Sequence, residues 1–247
     1  MRKTLAILII FLMLSVPFSF ASPKKKKEPP VKNKIEFATK DKFILVGDLY
    51  FAKKPSSKPL VILLHSFGVS AKEWKTLAER LRLNNFNVLA MDLRGHGRSV
   101  YTESLKLKSR YKFKPADWQK LPYDVVESIN YVKANYTGIN CDDTIIIGAD
   151  IGGSAGVISG LMLKNQPLKF VLISPMLNFK GLYIPIKIAN YTNTRFFVIL
   201  SKTDKVLFNF YTKINPIIKT YPFGGPGNRV LFANPDSIDD IVNFILN

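Results

Sequence analysis

From residue 35 onward the apolar positions first alternate with polar ones and then close into solid runs. Residues 35–39 and 43–50 look like the two strands of an opening hairpin. Residues 60–64 read Leu-Val-Ile-Leu-Leu, an uninterrupted apolar run of the kind buried on both faces of a parallel sheet. Residues 71–83 change to helical spacing, with Trp74, Leu77, Ala78 and Leu81 on one side. The alternation continues with a strand at 86–91, a helix at 118–136, a strand at 144–148 and a helix at 151–163. Strands at 168–174 and 195–201 follow, and a helix at 236–246 closes the chain. Strands alternating with helices predict an α/β fold, a mostly parallel twisted sheet with helices on both faces. The interval 175–194 leaves room for little or no lid.

The pattern before residue 35 is different. Arg2 and Lys3 precede an apolar run over residues 5–14, and the small residues Ser19 and Ala21 suit a cleavage point. Residues 1–21 therefore read as a signal peptide. An uncleaved N-terminal anchor is the alternative, disfavoured because the run falls short of the about 20 residues a span needs and Pro17 interrupts it. Residues 22–34, with Lys24 to Lys27 and Pro29-Pro30, form a charged linker that cannot pack a core. The folded domain is then 35–247, and the protein is expected to be exported: periplasmic, envelope-associated or secreted.

Composition narrows this further. The 247 residues are 47% hydrophobic, enough for one sizeable core. Cys141 is the lone cysteine, which excludes an intrachain disulfide and any cysteine metal cluster. No metal or cofactor is expected. The formal net charge of +18 allows attraction to an anionic envelope surface, or is simply the mark of a Lys-rich composition. No nucleic-acid motif accompanies it. Residues 105–114 alternate apolar and basic residues. Extended, they would align five cations on one face; alternatively Leu105, Leu107, Tyr111 and Phe113 tuck onto the domain.

The candidate chemistry sits where the strand at 144–148 runs into Gly148-Ala149-Asp150-Ile151-Gly152. This is the pattern of a nucleophile elbow, a tight strand-to-helix turn that projects one side chain. Two further segments join it: Leu64-His65-Ser66-Phe67-Gly68 after the strand at 60–64, and Asp92-Leu93-Arg94-Gly95-His96-Gly97-Arg98-Ser99. Together, in this order, the three resemble the α/β-hydrolase family, its serine esterase and lipase branch, over nearly everything from residue 35. The resemblance implies an oxyanion hole made by the backbone N–H groups of Phe67 and Ile151. It makes Arg94 to Ser99 a structural turn and places the acid of a triad at Asp204, a residue that suits equally the N-cap of a helix following it.

Two departures weaken the implied chemistry. The nucleophile position holds Asp150 instead of serine. Matching Gly227 to the family glycine puts Pro226 where the late histidine belongs. The only histidines, His65 and His96, lie far upstream. Carboxylate nucleophiles occur on this fold in haloalkane dehalogenases and epoxide hydrolases, but their ester intermediate still needs a general base. Those enzymes tend to carry Trp after the Asp, where this chain has Ile151, and a cap domain. Ser154, in Gly152-Gly153-Ser154-Ala155-Gly156, imitates an elbow but lies a helical turn too late. His65 could approach Asp150, or be a core histidine.

The leading expectation is thus an exported, catalytically degenerate α/β-hydrolase-fold protein that binds a small molecule or a protein. The alternatives are an active hydrolase with a non-standard site around Asp150, Asp204 and His65, and a basic envelope-binding protein.

Overall fold

The solid apolar runs become the middle of an eight-stranded sheet. The computed structural model describes residues 31–54, 56–214, 216–225 and 227–247. The signal segment 1–21, linker residues 22–30 and Pro226 lie outside the described residues. In chain order the elements are β1 (Lys32–Ala38), β2 (Ile44–Tyr50), β3 (Pro59–Leu64), α1 (Lys75–Leu83), β4 (Val88–Asp92), α2 (Pro115–Trp118), α3 (Leu121–Asn135), β5 (Asn140–Ala149), α4 (Ile151–Gly160), β6 (Lys169–Ile173), β7 (Asn178–Phe179), β8 (Leu182–Tyr183), α5 (Pro185–Ile188), β9 (Arg195–Ser201), α6 (Lys205–Tyr211), β10 (Ile217–Tyr221), α7 (Arg229–Ala233) and α8 (Ser237–Leu246).

The sheet order is β1-β2-β4-β3-β5-β6-β9-β10. The pairs β1–β2 and β2–β4 are antiparallel. All pairs from β4–β3 to β9–β10 are parallel. Alternate residues of one strand enter different cores. Leu60, Ile62 and Leu64 of β3 pack with α3, α4 and Tyr211 of α6. Val61 and Leu63 pack with α1, α7 and α8. That division is the physical reason for the solid run: both faces of β3 are covered, so neither can be polar.

The expected elements all occur, with shifted ends. The linker was expected to reach Lys34, but β1 begins at Lys32, which pairs with Tyr50. Lysines suit an exposed edge strand, so charge alone did not mark the boundary. The helix expected to Leu163 ends at Gly160, near where the Tyr191 hydroxyl donates to the Val157 carbonyl. The elements β10 and α7 were not anticipated, and α6 only as a helix for Asp204 to cap; each is a short segment of five to seven residues. Between β6 and β9 there is only the small β7–β8 hairpin and the single turn α5.

Residues 105–114 follow neither expected arrangement. A bridge between Tyr101 and Leu107 and a 3-10 turn at Arg110–Lys112 break the extended stripe. Phe113 does tuck in, its ring 4.9 Å from Trp118. Leu105 and Tyr111 do not; each is 81% exposed.

Candidate functional site

Asp150 stands between β5 and α4 with φ 53° and ψ −118°, the strained turn of an elbow. Glycines make that turn possible. A Cβ on Gly152 would run into the Leu64 carbonyl, so only glycine lets α4 start this close to β3. The Asp150 N–H donates to the Ile173 carbonyl at 3.0 Å, fastening the elbow to β6.

The carboxylate of Asp150 folds back onto its own site. Its Oδ2 accepts the Phe67 N–H at 3.0 Å. Phe67 is one of the two donors that the family resemblance assigns to the oxyanion hole; Ile151, the other, follows Asp150 directly in the chain. Burial pushes the Asp150 carboxyl above the ordinary aspartate range, and the Phe67 and Ile151 N–H groups offset that only in part. Above the hole lies the Phe67 ring, 44% exposed, with the His96, Trp118 and Phe179 rings at 5.6, 5.9 and 5.7 Å.

Neither histidine reaches Asp150. His65 is fully buried; its Nε2 accepts the Leu93 N–H at 2.9 Å. Its Nδ1 therefore carries the proton and donates to the Ser66 carbonyl at 2.7 Å. His96 is equally buried, with Nδ1 3.0 Å from the Arg94 carbonyl and Nε2 unpartnered. Burial pushes both imidazoles down to about 4, so both are neutral near pH 7. His65 has the bonds of a core histidine, not of a base beside Asp150.

Asp204 lies at the start of α6 but makes no side-chain cap. Its Oδ2 accepts the Ser174 hydroxyl at 3.0 Å and the Ser201 N–H at 3.3 Å. Ser174, at the end of β6, thus holds the acid to its own strand. Ser154 is buried in the first turn of α4 and donates to the Met176 carbonyl at 2.6 Å.

The late loop nevertheless arrives at the site. Gly227 has φ 70°, and a Cβ there would stand 2.9 Å from the Ser66 hydroxyl and 3.4 Å from the Asp150 Cβ. The Asn228 N–H donates to the Ser66 Oγ at 3.0 Å. Ser66, where the family commonly has glycine, is therefore the anchor for the loop. Its own N–H donates to Glu73 Oε1 at 2.9 Å, while the Asn228 side-chain amide bonds Glu73 Oε2. Burial drives the Glu73 carboxyl up to about 8, and the neighbouring charge of Asp150 adds to the rise. Sequence reasoning missed Glu73. A single carboxylate in a helical first turn carries no local signal, and its partner Asn228 is 155 residues away.

The Arg94 to Ser99 segment is structural, as the resemblance implied. Arg94 is 2% exposed and makes ion pairs with Asp124 and Asp41. Asp92 accepts the Ala71 N–H at 2.7 Å and the Arg98 N–H at 3.1 Å, tying this turn to the loop that carries Phe67.

Sheet order, elbow and oxyanion-type loop define an α/β-hydrolase fold. The chain belongs to the family described as serine aminopeptidase, S33, whose model matches residues 55–221. That match stops before the loop containing Gly227. Among solved structures the chain is similar to an esterase from Pyrococcus furiosus, at 20% identity and a TM-score of 0.66, covering 87% of this chain and 89% of that one. A hydrolase from Pseudomonas aeruginosa is similar at 16% identity and a TM-score of 0.63, covering 87% and 98%. An esterase from Exiguobacterium antarcticum is similar at 11% identity and a TM-score of 0.62, covering 87% and 100%. No curated protein matches the chain.

Proposed function

We propose that this is a catalytically degenerate member of its family, a binding protein that keeps the hydrolase scaffold without hydrolysing esters or amides. The observation that carries this reading is the Asp150 carboxyl held by the Phe67 N–H, a donor of the hole. A substrate carbonyl would have to displace that side chain from the donor, and a hydrogen bond to a charged acceptor is worth about 1.5–3 kcal/mol. Attack by Asp150 itself would leave an ester or anhydride for water to cleave. No imidazole is placed to activate that water, because both rings are committed to the backbone or sealed in the core. Beside Asp150 the half-exposed Phe67 ring clusters with Phe179 and Trp118, an apolar group suited to a small molecule or a protein segment with an apolar face.

The amino-terminal pattern supports export to the envelope or beyond, and amino-terminal sequencing of the protein recovered from its native cells tests it. Loss of residues 1–21 agrees with a signal peptide; an intact start on a cytosolic protein contradicts export.

The functional reading is tested by incubating the purified protein with a panel of nitrophenyl esters of graded acyl length and with aminoacyl nitroanilides. The expected result is no rate above the uncatalysed one. Turnover that disappears in Asp150→Ala overturns the reading in favour of an active, non-standard hydrolase.

A further inference from the structure

The loop between β4 and α2 carries apolar side chains that the fold does not use. Bridges from Phe43 to Thr102 and from Tyr101 to Leu107 pin it to the sheet as a tight hairpin. The Leu105 N–H donates to the Thr102 carbonyl at 2.8 Å, and the Lys108 N–H to the Val100 carbonyl at 2.7 Å. At its tip Leu105 is held at φ 57°, a left-handed conformation that L-residues other than Gly, Asn and Asp rarely adopt. Yet Leu105 is 81% exposed, so no packing of its side chain offsets the strain. Tyr111 is equally exposed, and Leu107 and Tyr101 are 47% and 46% exposed. Single exposed apolar residues need no explanation, whereas a cluster on one ordered loop does.

Cations alternate with these side chains. Lys106, Lys112 and Lys114 are exposed. The Arg110 guanidinium lies over the Tyr111 and Phe67 rings at 4.3 and 5.7 Å and has no carboxylate partner among the described residues. Glu103 is the sole acidic residue over 100–114. Lys108 is neutralised by Asp117 at 2.5 Å.

We propose that this hairpin and the adjoining turn are a docking surface for an anionic lipid bilayer. Leu105 and Tyr111 enter the boundary between headgroups and acyl chains, and Lys106, Lys112 and Lys114 meet the lipid phosphates. A residue-by-residue mixture of apolar and basic groups suits a bilayer interface, which offers both environments at every point. It suits the apolar centre and polar rim of a protein contact less well. The contact of Arg110 with Phe67, whose N–H meets Asp150, sets the docking face beside the candidate site. The inference does not depend on whether that site is catalytic.

The test uses the full chain carrying Leu105→Trp, mixed with phosphatidylglycerol–phosphatidylcholine vesicles whose acyl chains are brominated. The native indoles of Trp74 and Trp118 are buried at 1% and 5% exposure and form a constant background. The new indole is expected to be quenched and blue-shifted on anionic vesicles and not on pure phosphatidylcholine. Charge reversal at Lys106, Lys112 and Lys114 together is expected to weaken the quenching midpoint by more than about 100-fold, since loss of the three positive charges alone is worth near a kcal/mol each. An unquenched indole on vesicles that still sediment the protein overturns the proposal, assigning attachment to another segment. Quenching as strong on neutral lipid, or indifferent to charge reversal, overturns the anionic-lipid assignment. A response to polyglutamate without one to vesicles assigns the surface to acidic polymers instead.

Discussion

The Oδ2 of Asp150 accepts the N–H of Phe67 at 3.0 Å, across 83 positions of sequence. In a working serine hydrolase that N–H is kept for the oxygen of the tetrahedral intermediate. On the proposed reading, one residue both stands in the nucleophile's place and takes up a donor of the hole that would have served it.

Emptying the hole should restore only half of the chemistry. Asp150→Ser frees the Phe67 N–H but supplies no base, and is expected to leave ester hydrolysis at the uncatalysed rate. Adding Pro226→His, next to Gly227, where a side-chain Cβ would face Ser66 and Asp150, is expected to give measurable nitrophenyl ester hydrolysis. Equal rates from the single and double variants would contradict the assignment of the late loop.

Glu73 predicts a pH-dependent stability. Its carboxyl rises from 4.5 to about 8 in the fold, so the native state favours the neutral form. The stability it supports is full below about pH 4.5 and is lost as pH climbs through 8. A tenfold change in proton affinity is worth about 1.4 kcal/mol, so the loss is on the order of a few kcal/mol. Asp150, also raised, acts in the same direction. Glu73→Gln is expected to flatten the melting temperature over that window. A wild-type melting temperature that holds level from pH 5 to 9 would sink this view.

Arg94 is expected to be the costliest surface-remote cation to remove. Its guanidinium is enclosed between Asp124, itself 5% exposed, and Asp41, and rests on the Phe43 ring at 4.7 Å. Arg94→Ala leaves a buried carboxylate unpaired, a change worth about 3–5 kcal/mol. Denaturant unfolding measures it; a loss below about 1 kcal/mol would mean that Asp124 is satisfied by other means.

The sheet and the elbow were legible because their signals are local. The runs at Leu60 to Leu64 and Thr144 to Gly148 each state their own burial, and Gly148 and Gly152 flank Asp150 within five residues. Asp204 was singled out by its place after the strand at 195–201; its bond to Ser174 was not foreseen. What escaped was non-local or short. The bridge from Ser66 through Glu73 to Asn228 joins two segments 155 residues apart, and no pattern within either of them announces it. The strand β10 is five residues on the sheet's edge, with a lysine and a threonine among its apolar positions. The exposed hairpin at Leu105 defeated the alternation rule, because a bridge and a left-handed residue replaced the extended chain that the rule assumes.

The occupied hole is open to direct measurement by following the backbone amide resonances of Phe67 and Ile151 through a pH titration. Both amide protons are predicted to lie downfield and to titrate together with a midpoint above the ordinary aspartate range, and to lose that titration in Asp150→Ala. Amide resonances that ignore pH and are unmoved by Asp150→Ala would contradict the account.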